Sequence, residues 1–218
     1  VPGHARGCEN MRRPGYYSLM SKYLYPFYIL IHPADGFREM KVNNKFSMRF
    51  ANGILALWVL LGILDWGYVD FDFKTTVRQL DGNVNIFQVL LTSVLIFAIS
   101  VVSNWCFCTL MDGKGRMKEI WVAGAYAMMP YVSLGIIRVG LTHFMVSGEA
   151  VYLTYLNVIG ILWSALLVLI GLMSIHDYSG PKTLMSIFLT LCGVLIIAFL
   201  VVLVSGLATQ IYSFFATI

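Results

Sequence analysis

Five long apolar runs follow one another along the chain, at Ser47–Leu64, Ile86–Met111, Ile120–Leu141, Val151–Ser174 and Leu184–Phe215. A run of about eighteen or more residues crosses a hydrocarbon core of about 30 Å as a helix. Lipid offers the backbone no hydrogen-bond partner, and no run alternates as a barrel strand does, so the pattern predicts helices. The last run exceeds a perpendicular crossing and predicts tilt or extension past the lipid. The stretches Asp112–Glu119, Thr142–Ala150 and Ile175–Thr183 are short, which makes consecutive spans antiparallel neighbours in one bundle. The fold class expected is an all-α integral membrane protein. A compact bundle of five transmembrane helices (46–218) follows a cytoplasmic N-terminal arm (1–45).

The arm carries its own pattern. Tyr16, Tyr17, Tyr23, Tyr25, Phe27 and Tyr28 are mixed with Lys22, Arg38 and Lys41, a composition that suits the headgroup level. After His32-Pro33, residues 34–45 read as a short amphipathic helix with Phe37 and Met40 on one face, lying in the membrane plane. An ordered but irregular arm is the alternative. The polar residues ahead of the first run lack the layout of a cleavable signal peptide.

Composition agrees with the runs: 59% of residues are hydrophobic and only 12% charged, against about 25% charged in soluble domains. Charge then orients the bundle. Twelve of the fifteen Lys and Arg lie in the first 49 residues, in the second-to-third connection (Lys114, Arg116, Lys118) or at Lys182. The positive-inside rule places that side in the cytoplasm, with the C-terminus outside, in the plasma membrane if the source is bacterial. The connection 65–85 on the opposite side is acidic, with Asp65, Asp70, Asp72 and Asp81 in no calcium-loop spacing. A net charge of +4 beside a membrane points to anionic lipid headgroups rather than nucleic acid. Cys8, Cys106, Cys108 and Cys192 form no disulfide or metal pattern.

Chemistry inside the spans is sparse. The polar residues singled out are Asn52, Thr92, Ser93, Ser100, Ser103, Asn104, Ser133, Asn157, Ser164 and Ser205, with no acid or lysine near a span centre. That weighs against ion-coupled transport, which uses a buried ionisable group. Arg138, about a turn from a span end, either snorkels to the interface or pairs with Glu149 or an outer Asp. Nucleophile-elbow, zinc-protease and phosphate-loop motifs are missing, and no cofactor is expected. His32, His176 and Asp177, near Asp35 and Asp112, could meet at the cytoplasmic edge as an acid–base or metal cluster. Pro130 predicts a kink midway along the third span. Gly160 and Ser164, and Gly124 ahead of Pro130, mark faces where backbones can approach closely.

Three stretches together resemble the bacterial branch of the Yip domain family of Ypt/Rab-interacting membrane proteins. They are Ile31-His32-Pro33-Ala34-Asp35-Gly36-Phe37-Arg38; Gly113-Lys114-Gly115-Arg116-Met117-Lys118-Glu119 running into Gly124-Ala125-Tyr126-Ala127-Met128-Met129-Pro130; and Trp163-Ser164 through Ile170-Gly171-Leu172 to His176 and Lys182. The resemblance covers residues 24–213 and implies five spans with a cytoplasmic N-terminus. Eukaryotic relatives resemble trafficking scaffolds that bind prenylated small GTPases, shape membranes and oligomerise. Their Asp-Leu-Tyr-Gly-Pro motif is replaced here by His32-Pro33-Ala34-Asp35-Gly36. Some bacterial relatives are encoded beside sugar-uptake transporters of the ATP-binding-cassette type, and the resemblance then suggests an accessory subunit.

The reading drawn is a non-enzymatic scaffold or accessory subunit that docks to a membrane-protein partner or to itself. Its contact residues are Phe37, Arg38 and Lys41 in the arm and Gly124, Tyr126, Pro130, Gly160 and Ser164 in the bundle. Replacing Gly160 by leucine is then expected to break assembly and spare the monomer. The alternatives are a small-solute channel or permease lined by Asn104, Ser133 and Asn157 beside the kinked third helix, and a membrane enzyme on His32, His176 and Asp177.

Overall fold

A computed structural model describes residues 25–43, 46–65, 86–146 and 149–216. The acidic residues Asp70, Asp72 and Asp81, the arm's Tyr16, Tyr17, Lys22 and Tyr23, and Lys45 lie outside them. The described residues form eight helices: α1 (Tyr25–Ile31), α2 (Pro33–Asn43), α3 (Met48–Leu64), α4 (Ile86–Leu110), α5 (Met117–Ala127), α6 (Met129–Thr142), α7 (Ala150–His176) and α8 (Gly180–Ala216). α4, the α5–α6 pair, α7 and α8 are long and apolar enough to cross a membrane, whereas α3, with 17 residues, is shorter.

The third apolar run is one rod in two pieces. Pro130 has no N–H to return to Tyr126, so the helix breaks at Met128 and restarts. The break also takes the Tyr131 N–H away from its own helix, and it donates instead to Ser164 Oγ on α7 at 3.2 Å. One turn earlier on α7, a Cβ on Gly160 would sit 3.3 Å from the Tyr131 Cα. Gly160 and Ser164 therefore bring α7 against the restarted α6, a close approach within one chain.

α7 is the central helix. It packs on α6, α5 and α2, while α8 lies mainly along α4, and α3 touches α4, α5 and α6. The α4–α8 pair thus forms one arm of the bundle and α5–α7 the other. The stretch after His32 is helical over Pro33–Asn43, as α2, and its Phe37 and Met40 face is turned into the bundle. Phe37 and Met40 are fully buried, and Phe37 lies over Gly171 of α7, where a Cβ would come within 3.2 Å of its ring. Burying an aromatic ring on a protein face that a glycine leaves open removes more apolar area from water than resting it among headgroups.

Tyr126 ties α5 to the start of α3. Its hydroxyl accepts the Ser47 N–H at 3.1 Å, and Ser47 caps α3 by accepting the Phe50 N–H. Trp121 Nε1 donates to Asn52 Oδ1 at 3.0 Å and its ring meets Phe97 edge-on. Far along the bundle, Arg138 pairs with Asp65, the first residue of the acidic connection. That is the outer-Asp partner, while Glu149 instead accepts the Val146 N–H of its own loop. α8 outruns the rest: its 37 residues span about 55 Å, and residues 198–216 touch so little of the chain that all are exposed.

Candidate functional site at the basic edge

The C-terminal ends of α4 and α7, the N-terminal ends of α5 and α8, and α2 meet at one edge of the bundle. Two helices finish there in the same way. In α4, Asp112 takes a left-handed conformation (φ 58°) and the Gly113 N–H returns to the Cys108 carbonyl at 2.7 Å. In α7, Asp177 is left-handed (φ 56°) and the Tyr178 N–H returns to the Met173 carbonyl at 3.1 Å. Both are Schellman closures with Asp in the position that glycine usually takes. The residue after each Asp, Gly113 and Tyr178, is thereby laid against the other helix. A Cβ on Gly113 would fall 2.6 Å from Tyr178 Oη and 2.7 Å from His176 Nδ1, and one on Gly115 2.6 Å from Ile175. The segment 113–115 passes over His176 at backbone distance because it has no side chains at those two points.

Beneath that segment lies a polar hub. The Gly115 N–H donates to His176 Nδ1 at 3.4 Å, which places the ring proton on Nε2, 3.3 Å from Asn104 Oδ1. Asn104 Oδ1 also accepts from Cys108 Sγ, and its Nδ2 donates to Thr190 Oγ1 at 2.9 Å and Ser186 Oγ at 3.5 Å. Cys108 Sγ lies 3.0 Å from Ser186 Oγ. His176, Asn104, Cys108 and Ser186 are all buried. The hub joins α7 to both members of the α4–α8 pair, and buried networks of this kind hold helices in one arrangement when their members are satisfied. Tyr178 stacks on His176 with centroids 5.2 Å apart and donates its hydroxyl to the Cys108 carbonyl at 3.1 Å. Burial, with Cys108 and Asp112 nearby, pushes the Tyr178 phenol up to about 12, so it stays a donor.

Charges ring the hub. Lys41 of α2 reaches Asp177 at 2.7 Å and Lys114 reaches it at 3.6 Å. Lys182 Nζ sits 4.6 Å over the Tyr178 ring. Glu119, almost fully buried in the first turn of α5, accepts the Arg116 N–H and pairs with its guanidinium at 2.7 Å. An anion suits that helix N-terminus. The hydrogen bond from Lys41, with the charge of Lys114 adding to it, holds the Asp177 carboxyl below its ordinary 3.8. A depressed carboxylate stabilises the folded chain at neutral pH, and the contribution is lost as pH falls through and below that range. Asp177 is half exposed, so the effect is small and weakened by salt. The stability difference between wild type and Lys41→Met should accordingly shrink as a melting series is carried from pH 7 to below pH 4. A difference constant with pH would show that Lys41 acts through packing alone.

The residues singled out from sequence divide cleanly. Lys41 belongs to this edge and Arg38 is exposed beside it, while Phe37 holds α2 on α7. Gly124 faces Phe97, with a Cβ 3.3 Å from the ring. Tyr126 ties α5 to α3, and Pro130, Gly160 and Ser164 set α6 against α7. Of the lining set, Asn104 is taken up by the hub, Ser133 Oγ donates to the Met129 carbonyl of its own helix, and Asn157 is half-buried on α7. His32 stacks on Tyr28 at the surface, whereas both nitrogens of His176 are engaged. Among the described residues no group of three or more His, Cys, Asp or Glu could hold a metal ion.

The model of the Yip1 domain matches residues 27–216, from α1 to the end of α8. The chain belongs to the Yip1 domain family. It is an integral membrane protein, as the apolar helices require. No curated protein and no solved structure matches it. In this Yip1-domain protein the hub partners Ser186 and Thr190 and the glycines at 113 and 115 were not picked out as site residues from sequence. A signal was there: Thr183, Ser186, Thr190 and Gly193 recur at three- and four-residue steps, the spacing of a helix's inward stripe.

Proposed function

We propose that this protein acts by contact, as a non-enzymatic scaffold or accessory subunit of a membrane complex. The observation that carries the reading is how the basic edge uses its polar groups. The titratable residues gathered there are not aimed at an open cleft: His176, Asp177 and Tyr178 bind one element to another, and Glu119 closes the start of its own helix through Arg116. What they leave outside is a rim bearing Arg38, Lys114, Arg116 and Lys118, all exposed. By the positive-inside rule that rim faces the cytoplasm, with α3 as a fifth span and α2 held against the bundle at the same edge. A rim of this kind suits anionic headgroups or an acidic face of a partner.

Within this reading Arg38 and Lys41 stay as rim contacts. Phe37, Gly124, Tyr126, Pro130, Gly160 and Ser164 act by setting the shape that the partner meets. Gly160→Leu would strike Tyr131 and so disturb the monomer as well as any assembly. The partner class proposed is another membrane protein, an ATP-binding-cassette sugar transporter among the candidates, or a second copy.

The test is purification of the tagged full-length protein in a gentle detergent from its host membrane, with mass spectrometry of what accompanies it. A membrane complex in fixed ratio, lost on reversing Arg38 and Lys118 to Glu, supports the proposal. Recovery of the protein alone, with the variant behaving identically, overturns it and moves solute transport forward.

A further inference from the structure

Above the hub, between the two arms of the bundle, lies a cavity of about 290 Å³. We propose that it holds one acyl chain of a phospholipid from the leaflet beside the basic edge. The inference rests on membrane embedding, which the family and the helices establish, and not on the scaffold reading.

Position comes first. The walls are residues 96–104 of α4, 120–128 of α5, 168–172 of α7 and 187–194 of α8, with Trp58 of α3. Counted from the helix ends at the basic edge, these lie between three and fourteen residues in, about 5–20 Å deep at 1.5 Å per residue. Most of the cavity thus falls in the half of an approximately 30 Å hydrocarbon core nearest that edge. Along α4 and α5 it runs for about 12 Å, so it is elongated parallel to the helices, as acyl chains are.

Chemistry comes second. The lining is apolar apart from Ser100, Asn104 and Thr190. Ser100 Oγ donates to the Ile96 carbonyl at 2.7 Å, Asn104 Nδ2 to Thr190 Oγ1 at 2.9 Å, and Thr190 Oγ1 to the Ser186 carbonyl at 2.8 Å. Their donors are already satisfied, so water entering the cavity would find few of the two to four partners it needs. An apolar cavity of roughly 150 Å³ is known to stay dry and take benzene, and this one is about twice that size.

Access comes third. Ile96 and Leu191 line the cavity and are each more than half exposed on the outer flank, so it opens sideways, toward lipid. α8 leans on α4 and makes only slight contact with α7, which leaves that flank without a helix to close it. The hub closes the bottom through Asn104. A chain entering from the side would lie against Phe97, Gly124 and Val168 with its glycerol end toward Lys114 and Lys182.

The experiment reconstitutes the full-length protein in phosphatidylcholine–phosphatidylglycerol vesicles carrying a phospholipid with a diazirine midway along one acyl chain. After irradiation, labelled residues are mapped by mass spectrometry. Labelling should concentrate on the lining residues, above that on Phe188 of α8 and Leu166 of α7, which are exposed at the same depth outside the cavity. In Val168→Trp, which fills the cavity, it should fall about tenfold, the change that loss of two buried methylenes would give. Should that variant misfold, Ala123→Leu serves as a smaller filler, with elution and melting checked for each. Equal labelling of the cavity and of Phe188 and Leu166, or undiminished labelling in a folded filled variant, would mean ordinary boundary lipid and overturn the proposal. Labelling by a diazirine fatty acid but not by the phospholipid would overturn the phospholipid assignment.

Discussion

Gly113→Leu is expected to remove most of the folded protein from detergent extracts, whereas Gly140→Leu leaves it intact. A Cβ at 113 would stand 2.7 Å from both the Cys108 carbonyl and His176 Nδ1, and 2.6 Å from Tyr178 Oη. At 140 it would meet nothing within 4 Å. Overpacking costs about 1–3 kcal/mol where neighbours can shift. At 113 one neighbour is backbone inside a helix closure, and the others are stacked rings held by hydrogen bonds. The loss should therefore reach or exceed about 3 kcal/mol. Tyr178→Phe relieves a single one of the three contacts, so the double variant should recover only part of it. Fluorescence-detected size exclusion with a melting series reads all four proteins. A Gly113→Leu protein as stable as the Gly140→Leu control would mean that segment 113–115 does not lie where it is described.

The second large effect is expected for Asn104→Leu. Its side chain is of similar size, but it can neither accept from His176 and Cys108 nor donate to Thr190 and Ser186. Thr190 and Ser186 keep other bonds, while the His176 Nε2–H is left buried without an acceptor. A buried group stranded in this way costs about 1–3 kcal/mol. Polar contacts between membrane helices average less, about 0.6 kcal/mol each. Adding the lost bonds to α8, the variant should lose about 2–4 kcal/mol. Ser133→Ala, whose hydroxyl bonds only within its own helix, should lose far less. If the two variants melt together, the hub does not join α7 to the α4–α8 pair.

The hub explains why sequence reading placed its members in separate stories. Asn104 reads as a pore residue because a polar side chain in an apolar run suggests a path. His176 reads as an acid–base candidate because histidine at a membrane edge can titrate. Each inference follows from residue type alone. Neither could find the partner, because Asn104 and His176 are 72 residues apart and meet only when α4 and α7 end at the same edge in the same Schellman turn. Gly160 and Ser164 were legible as a close-approach face, but not what approaches. The partner is Tyr131, displaced by Pro130, so a spacing that suggests assembly serves the monomer. Arg138 was read either as snorkelling to the interface or as pairing with Glu149 or an outer Asp, and the structure gives it Asp65.

By itself the sequence determined what depends on one stretch of chain at a time. The apolar runs dictate helices because the backbone in lipid has no other partner, Pro130 dictates a break because its nitrogen carries no hydrogen, and the clustered Lys and Arg dictate a basic edge. Only the tertiary structure decided which faces of those helices meet. It turned Phe37 inward over Gly171, laid Gly113 and Gly115 over His176, closed the Asn104 hub and opened the cavity above it. The reason is that apolar helices in lipid gain nothing by hiding from their solvent. Small differences in packing and hydrogen bonding therefore select the pairing, and those differences exist only between residues far apart in the chain.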